Sequence, residues 1–389
     1  MADRATSSWS SGTGLALMAA LVSLGCRAAD MGARDPLPSS VRPLAAPSKA
    51  ADHAPEARNG VPLELGLFWP SFPDGFAPRD REVALGRELF SERALSADRS
   101  LSCETCHDPS HGFADPRPQS IGVHGQPGKR NSPTLLNAAY FDTLGWSGEH
   151  SSIEAQSLAA ITNPLEMGVE RSEIAARLEP LYGDRLRELY GDVSPESAGR
   201  ALAAFQRTLV AGDSPFDRYI YANDSNAVSE VAKRGFEVFI GEARCIQCHF
   251  MRSEASHPFG GSTGTFTDNR FHNIGVGFDE HGNTTDEGRR EVSKEELERG
   301  AFKTPTLRNV ALTAPYMHDG SLATLLDVVQ HYDKGGVPNP NLDPDVKPLR
   351  LTDVQKAELV AFLESLTSVK LANAASGTAP PKLVLGNMH

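Results

Sequence analysis

The chain has no surplus of basic residues and no strong strand-like alternation of apolar and polar residues. Its 389 residues include 38 Lys and Arg against 50 Asp and Glu, which gives a formal net charge of −12. That balance argues against a nucleic-acid partner, because a basic surplus is needed to neutralise phosphates. A basic protein partner, such as a small positively charged redox carrier, remains compatible with it. The missing alternation argues against a sheet-rich fold and favours a mainly α architecture.

The chain also lacks a convincing membrane-spanning segment. The apolar stretch at 14–25 is too short to cross a bilayer as a helix, but it has the length of a signal-peptide core. Cys26 follows it in a context that resembles a bacterial lipoprotein cleavage box, although Ser23 stands where that box prefers Leu. Ordinary cleavage near Ala28 or Ala29 is the alternative. We therefore predict a signal peptide over 1–26 and export to the periplasm, with a lipid anchor at Cys26 under the first interpretation.

Cysteine is scarce, but four of the five cysteines form a pattern. They make two C-x-x-C pairs, and a His follows each pair directly. C-x-x-C-H is the attachment signature of c-type haem, in which the thiols add to the vinyl groups and the His is the proximal iron ligand. A zinc site would not require the adjacent His, and a thioredoxin-type motif would not occur twice. The pattern predicts two covalent c-type haems held by Cys103, Cys106, His107, Cys245, Cys248 and His249.

The sequence around the two motifs is duplicated. A helix-like stretch precedes each motif, at 83–90 and at 231–239, and each stretch contains a Gly followed four residues later by Phe. Another helix closes each half, at 201–209 and at 359–366, with apolar residues at helical spacing. The sequence therefore predicts helix, haem motif, long loops and helix, repeated twice.

Short signals predict where the closing helices begin. Ser194 and Pro195 are suited to the N-cap and first positions of one helix, and Thr352 with Gln355 forms a capping box for the other. We divide the chain into a signal peptide (1–26), a flexible Pro- and Ala-rich tether (27–75), two haem domains (76–226 and 227–372) and a tail (373–389).

Several longer motifs resemble the bacterial di-haem cytochrome c peroxidases. They occur in the family's order over roughly residues 80–370, as SIGVHGQPGKRNSPTL (120–135), Trp146, NPLEMG (163–168), FKTPTLRNV (302–310), TAPYMHDG (313–320) and LATL (322–325). The resemblance implies two tandem c-type cytochrome domains, each with haem between helices. It also implies a peroxidatic first haem and a second haem that passes electrons from a small cytochrome c or cupredoxin.

The resemblance assigns residues to the first haem. Glu166 falls at the family's distal carboxylate, where a group that takes and returns a proton assists peroxide cleavage. Trp146 lies at the family's tryptophan between the haems. Where the family continues with Asp-Gly-Arg, this chain has Ser147, Gly148 and Glu149, so the partners of Trp146 stay open.

Two further sites follow from the same resemblance. Asn131, Thr313 and Pro315 fall on the family's calcium site, which suits hard oxygen ligands. The first haem either stands open at rest or receives His124 after a loop shift, since the aligned position is Val123. His111 is expected to serve hydrogen bonds of its own loop.

Tyr332 occupies the position of the family's axial Met at the second haem, as in MauG and its relatives. An anionic phenolate stabilises oxidised iron, whereas a thioether raises the potential. Met317 and His331 are the rival ligands. Three functions stay open: a peroxidase supplied by an exported electron donor, a MauG-like enzyme that oxidises side chains of a partner protein, and an electron-transfer cytochrome without catalysis.

Overall fold

A computed structural model describes residues 65–67, 78–250 and 264–375. The signal peptide, Cys26 and most of the tether and tail lie outside the described residues. Within the described ranges, no helix combines the length and apolar character needed to cross a membrane.

The described part of the chain is mainly helical, which confirms that part of the predicted fold class. Its α-helices are α1 (Asp80–Phe90), α2 (Ile153–Thr162), α3 (Ile174–Tyr190), α4 (Pro195–Gln206), α5 (Pro215–Tyr221), α6 (Glu230–Ile240), α7 (Arg290–Ser293), α8 (Leu325–Lys334), α9 (Asp353–Glu364) and α10 (Val369–Ala375). Two short strands, β1 (Phe271–His272) and β2 (Phe302–Lys303), pair antiparallel. Long loops and 3-10 turns connect these elements.

The predicted helix starts are confirmed. Ser194 accepts a hydrogen bond from the Ser197 amide at 3.1 Å, and Pro195 is the first residue of α4. At α9, the Thr352 hydroxyl accepts from the Gln355 amide, while the Gln355 side chain accepts from the Thr352 amide at 2.9 Å. These bonds satisfy amides that have no partner inside the helix.

In the first half, α1 crosses α4 at very close range. A Cβ added to Gly86 would lie 1.9 Å from the Ala201 carbonyl oxygen, so only glycine permits this approach. The Phe90 and Phe205 rings pack with centroids 5.2 Å apart. The crossing forms one hydrophobic core with residues of α2 and α3.

In the second half, α6 crosses α9 in the same manner. A Cβ added to Gly235 would lie 1.8 Å from the Glu358 carbonyl oxygen, and the Phe239 and Phe362 rings are 4.9 Å apart. The Gly and the Phe four residues later therefore serve the same contact in both halves.

The short helix α5 belongs to the second hydrophobic core, although its residues precede position 227. Phe216 packs on Phe362 with ring centroids 5.1 Å apart. Asp217 forms a fully buried ion pair with Arg308, with contacts of 2.7 and 2.8 Å. Such a pair depends on both partners, because either charge alone would be buried uncompensated. The domain limits themselves stay a prediction.

Candidate functional site

The first C-x-x-C-H motif folds as a tight turn that presents one imidazole nitrogen. The His107 amide bonds the Cys103 carbonyl at 2.9 Å. The His107 Nδ1 lies 3.0 Å from the Phe113 carbonyl oxygen, to which it donates, so Nε2 keeps its lone pair. Burial lowers the pKa of His107, although the Phe113 carbonyl acts in the opposite direction. The neutral ring is the form that binds iron.

The second motif repeats this arrangement. The His249 amide bonds the Cys245 carbonyl at 2.9 Å, and His249 Nδ1 lies 2.9 Å from the Phe266 carbonyl oxygen. Burial lowers the pKa of His249 as well. A carbonyl that fixes the ring from behind is a common arrangement for a histidine ligand.

Each motif lines a large cavity. The first cavity contains Cys103, Cys106 and His107 and holds about 2220 Å³ of space, including solvent at its mouth. The second cavity contains the second motif and holds about 1570 Å³ on the same measure. Two free thiols and one imidazole nitrogen facing a cavity of this size fit a c-type haem.

Glu166 lines the first cavity, with its side chain open to that space. The Asn163 side-chain amide donates to Glu166 Oε1 at 2.7 Å. Burial by the surrounding protein raises the pKa of Glu166, the Asn163 bond lowers it, and the charge of Glu149 raises it further. A carboxyl with a raised pKa is suited to both accepting and donating a proton.

Gln156 is a cavity residue that sequence reasoning missed. It lies on the inner face of α2, and its Oε1 is buried without a hydrogen-bond partner among the described residues. The lining positions of α2 include 153, 156, 157 and 160. This is the i, i+3, i+4, i+7 spacing of one helix face. A polar residue on that face could have indicated from the sequence that Gln156 faces a cavity.

The candidate distal histidine does not reach the first cavity. His124 has φ +60°, its side chain is 65% exposed, and its Nδ1 lies 3.6 Å from Asp98 Oδ2. Val123 is buried, and neither residue lines the cavity.

The expectation for His111 was wrong. Its Nε2 hydrogen-bonds the Ala314 carbonyl in the second half of the chain, not a group of its own loop. The turn that carries His111 ends at Gly112, which has φ +61° and lies close to Thr313. This turn directs the imidazole across to the segment 313–315.

Trp146 lies in the wall that the two cavities share, because it lines both. Its Nε1 donates to the Asn131 carbonyl at 2.8 Å, and its own carbonyl accepts from the Lys303 amide at 2.8 Å. The His318 ring meets Trp146 edge-on at 6.4 Å and stacks on Phe302 at 3.6 Å. The indole is therefore held from several sides.

The residues that replace the family's Asp-Gly-Arg contact one arginine. Arg130 donates to Ser147 Oγ at 2.5 Å and to Glu149 Oε1 at 2.7 Å. It also binds both carboxylate oxygens of Asp286 at 2.7 Å, and its guanidinium lies over the Phe302 ring. Bidentate pairs of this kind are strong and directional, so Arg130 joins the segment after Trp146 to the second half.

The three residues predicted to bind calcium share the lining of one cavity. Asn131, Thr313 and Pro315 all line the second cavity. The Asn131 side-chain NH₂ donates to the carbonyls of Asp115 and Arg117, which leaves its Oδ1 as the oxygen a cation would use. Calcium stays a prediction.

Tyr332 lines the second cavity together with the second motif. It lies on α8, and burial raises the pKa of its phenol, as do the nearby Cys245 and Cys248. Met317 lines the same cavity, but His331 bonds the Ile274 carbonyl at 2.8 Å and is not part of the lining. Of the three candidate ligands, Tyr332 and Met317 thus face the cavity.

A charged cluster beside the second motif was also missed. His272 bridges Asp268 at 2.9 Å and Asp343 at 2.6 Å, and the Cys248 sulphur lies nearby. The bond with Asp268, with help from Cys248 and Asp343, raises the pKa of His272 to about 11. His272 and Asp343 are 71 positions apart in the chain, so no local sequence pattern could predict that they pair.

Comparisons with known proteins agree on one family. The family model described as di-haem cytochrome c peroxidase matches residues 80–226. The chain is 40% identical to the methylamine utilization protein MauG of Methylorubrum extorquens, over 73% of this chain and 78% of that protein. It is 35% identical to the cytochrome c peroxidase Ccp of Escherichia coli, over 82% of this chain and 63% of that protein.

Solved structures show the same fold. A MauG-like protein associated with microbial copper homeostasis superposes with a TM-score of 0.70 at 28% identity, covering 83% of this chain and 97% of that one. The di-haem peroxidase BthA of Burkholderia thailandensis gives a TM-score of 0.65 at 23% identity, covering 80% and 95%.

Proposed function

Because the chain belongs to the di-haem cytochrome c peroxidase family, we propose that it reduces hydrogen peroxide in the first cavity with electrons that arrive through a haem in the second. The family carries two haems, and the chain is an oxidoreductase of the peroxidase class. Export to the periplasm, with or without a lipid anchor at Cys26, and a small cytochrome c or cupredoxin as electron donor complete the proposal.

The observation that carries this proposal is the position of Glu166 in the first cavity. It lines the same cavity as His107, and its carboxyl has a raised pKa. When bound, the haem supplies the redox-active iron at which peroxide is reduced. Glu166 takes the proton from one peroxide oxygen and returns it to the departing oxygen. One peroxide, two protons and two electrons then give two water molecules.

Neighbouring side chains prepare the carboxyl for this role. Asn163 holds Oε1 through a 2.7 Å hydrogen bond, which leaves Oε2 to exchange the proton. Gln156 offers a buried amide to the same cavity, where it orients peroxide or water. Glu149 adds negative charge nearby and helps Glu166 to retain a proton.

Trp146 is proposed to couple the two centres. It lines both cavities, and hydrogen bonds at its indole nitrogen and its carbonyl hold it in the wall between them. A fixed aromatic ring shortens the gap across which an electron passes. Calcium bound by Asn131, Thr313 and Pro315 would brace the same wall, since Asn131 lines both cavities.

A second function, MauG-like oxidation of side chains on a partner protein, is favoured by Tyr332. The phenol lines the second cavity, and the chain is 40% identical to a MauG protein. Iron favours the phenolate over the phenol, and this ligand stabilises the oxidised state. The second centre would then store oxidising equivalents and not merely relay electrons.

A spectroscopic experiment on the diferric holoprotein separates these functions. Mass spectrometry is used first, to test whether each chain carries two covalent haem additions. A peroxidase should oxidise a reduced small cytochrome c at a rate that depends on peroxide. A MauG-like enzyme should retain two oxidising equivalents after peroxide addition without prior reduction. Two six-coordinate irons whose spectra do not change when peroxide is added would instead identify an electron-transfer cytochrome. That result would overturn the proposed catalysis.

A further inference from the structure

Lys303 occupies a distinctive place in the wall between the two cavities. Among the described residues that line both cavities, Lys303 is the only one with a charged side chain. The others are neutral: Asn131, Pro133, Thr134, Trp146, Pro305 and Thr306. A cation at this place acts on both cavities at once.

The backbone and one aromatic ring fix Lys303 there. It lies on β2 opposite Phe271 of β1, and its amide donates to the Trp146 carbonyl at 2.8 Å. The ammonium lies 4.2 Å from the centroid of the Phe141 ring, a cation–π contact. The side chain is therefore held at the wall and does not extend into bulk solvent.

The Lys303 ammonium forms no salt bridge within the part of the chain that the structure describes. Arg130, which lines the first cavity, is by contrast paired with Asp286. Among the residues that the structure describes, no carboxylate oxygen lies within 4.0 Å of Lys303 Nζ. Burial lowers the pKa of Lys303 to about 8, although the charges of Asp268 and Asp142 act in the opposite direction, so the amine is still mostly charged at neutral pH. A cation shielded from water without a partner is costly, which favours an anion in the adjoining cavity.

We propose that Lys303 binds a haem propionate at this wall and thereby raises the reduction potential of that haem. A c-type haem is attached through its vinyl groups, so its propionates remain free carboxylates that enter the cavity with the ring. A charge-assisted bond from ammonium to carboxylate satisfies both groups. Positive charge near the iron favours the reduced state. Lys303 is thus a positioning residue, and its role rests on the two-haem part of the proposed function.

The test compares reduction potentials of the holoprotein in the absence of peroxide. Lys303→Gln should lower the potential of at least one haem, while Lys303→Arg, which keeps the charge, should stay close to the wild type. Lys294→Gln is the matched control, because Lys294 is exposed and lines neither cavity. The larger fall should occur at the haem whose propionate Lys303 binds, because the charge acts most strongly on the nearer iron.

Potentials in Lys303→Gln that match the Lys294→Gln control, with two haems still attached, would overturn the proposal. A crystal structure of the wild-type holoprotein decides the matter even if the Gln variant fails to mature. A propionate oxygen about 2.7–2.9 Å from Nζ supports the proposal, and an ammonium bonded only to protein or bulk water overturns it. Neither readout uses peroxide, so a failure to turn over peroxide leaves this inference standing.

Discussion

The two halves share their scaffold and differ in what they bring to their cavities. In both, a glycine allows two helices to touch at the backbone, at Gly86 and at Gly235. In both, a carbonyl fixes the motif histidine from behind. The first cavity adds the carboxyl of Glu166, whereas the second adds the phenol of Tyr332. The difference teaches that the repeated helix pair is a common framework, whereas the side chains that distinguish the two cavities come from other segments.

The largest effect should come from removing the haem attachment site of one half at a time, because each half is proposed to have a different role. The double substitution Cys103→Ala with Cys106→Ala should abolish peroxide reduction, because the reaction is proposed for the first cavity. Cys245→Ala with Cys248→Ala should leave the first haem able to react with peroxide but stop steady oxidation of the donor. Mass spectrometry should show one haem in each variant. Peroxide reduction that survives loss of the first haem would reverse the assignment of the halves.

Glu166→Gln should lower peroxide turnover by roughly 10²–10⁴, the usual contribution of a positioned general acid/base. The amide keeps the shape of the side chain but cannot exchange the proton. Glu170→Gln is the matched control, since Glu170 is exposed and lies outside the cavity lining. Steady-state kinetics with intact haem spectra provides the measurement.

The pH profile gives the same variant a second readout. The pKa of Glu166 is raised above 4.5, so the carboxylate that accepts the first proton is lost as the pH falls through that raised value. Wild-type turnover should therefore decline on an acid limb centred above pH 4.5, and Glu166→Gln should lack that limb. An identical limb in both proteins would show that another group titrates.

Tyr332→Met should raise the potential of the second haem and change its ferric spectrum while both haems stay attached. Thioether ligation favours reduced iron more than phenolate does. Tyr316→Met makes the same change at another residue of the second cavity and should leave the ligand intact. If the wild-type ferric protein already shows the near-infrared band of His/Met iron, Met317 is the ligand and the MauG-like function loses its support.

The smallest effect on peroxide turnover should come from the shared scaffold. Gly86→Ala and Gly235→Ala should each lower the free energy of unfolding by about 3 kcal/mol or more, because the new methyl group would clash with a backbone carbonyl at the crossing. Gly183→Ala on α3 is the control, because the added Cβ would meet only the ends of the flexible Glu179 and Arg187 side chains. Thermal unfolding of the holoproteins measures the change. A much larger effect in one half would show that the two crossings are not equivalent.

Local patterns carried most of what the sequence could predict. The haem motifs, the Gly and Phe of each helix crossing and the cap at Thr352 involve residues close together in the chain, so spacing alone identified them. The contacts that were missed join distant segments. His111 reaches Ala314, 203 positions away, and Arg130 reaches Asp286 across 156 positions. Neither partner is specified by any short-range periodicity, since each pairing depends on how the two halves are packed.

Asn131 makes the wall between the two cavities rigid through its hydrogen bonds. Its amide bonds the His318 carbonyl, its side chain bonds the carbonyls of Asp115 and Arg117, and its carbonyl accepts from the Trp146 indole. One residue thus joins the loop of His318, the loop of Asp115 and Arg117, and the indole. The gap that an electron must tunnel across is then set by covalent geometry and short hydrogen bonds. Internal electron transfer in this protein should follow the driving force between the centres and be insensitive to solvent viscosity.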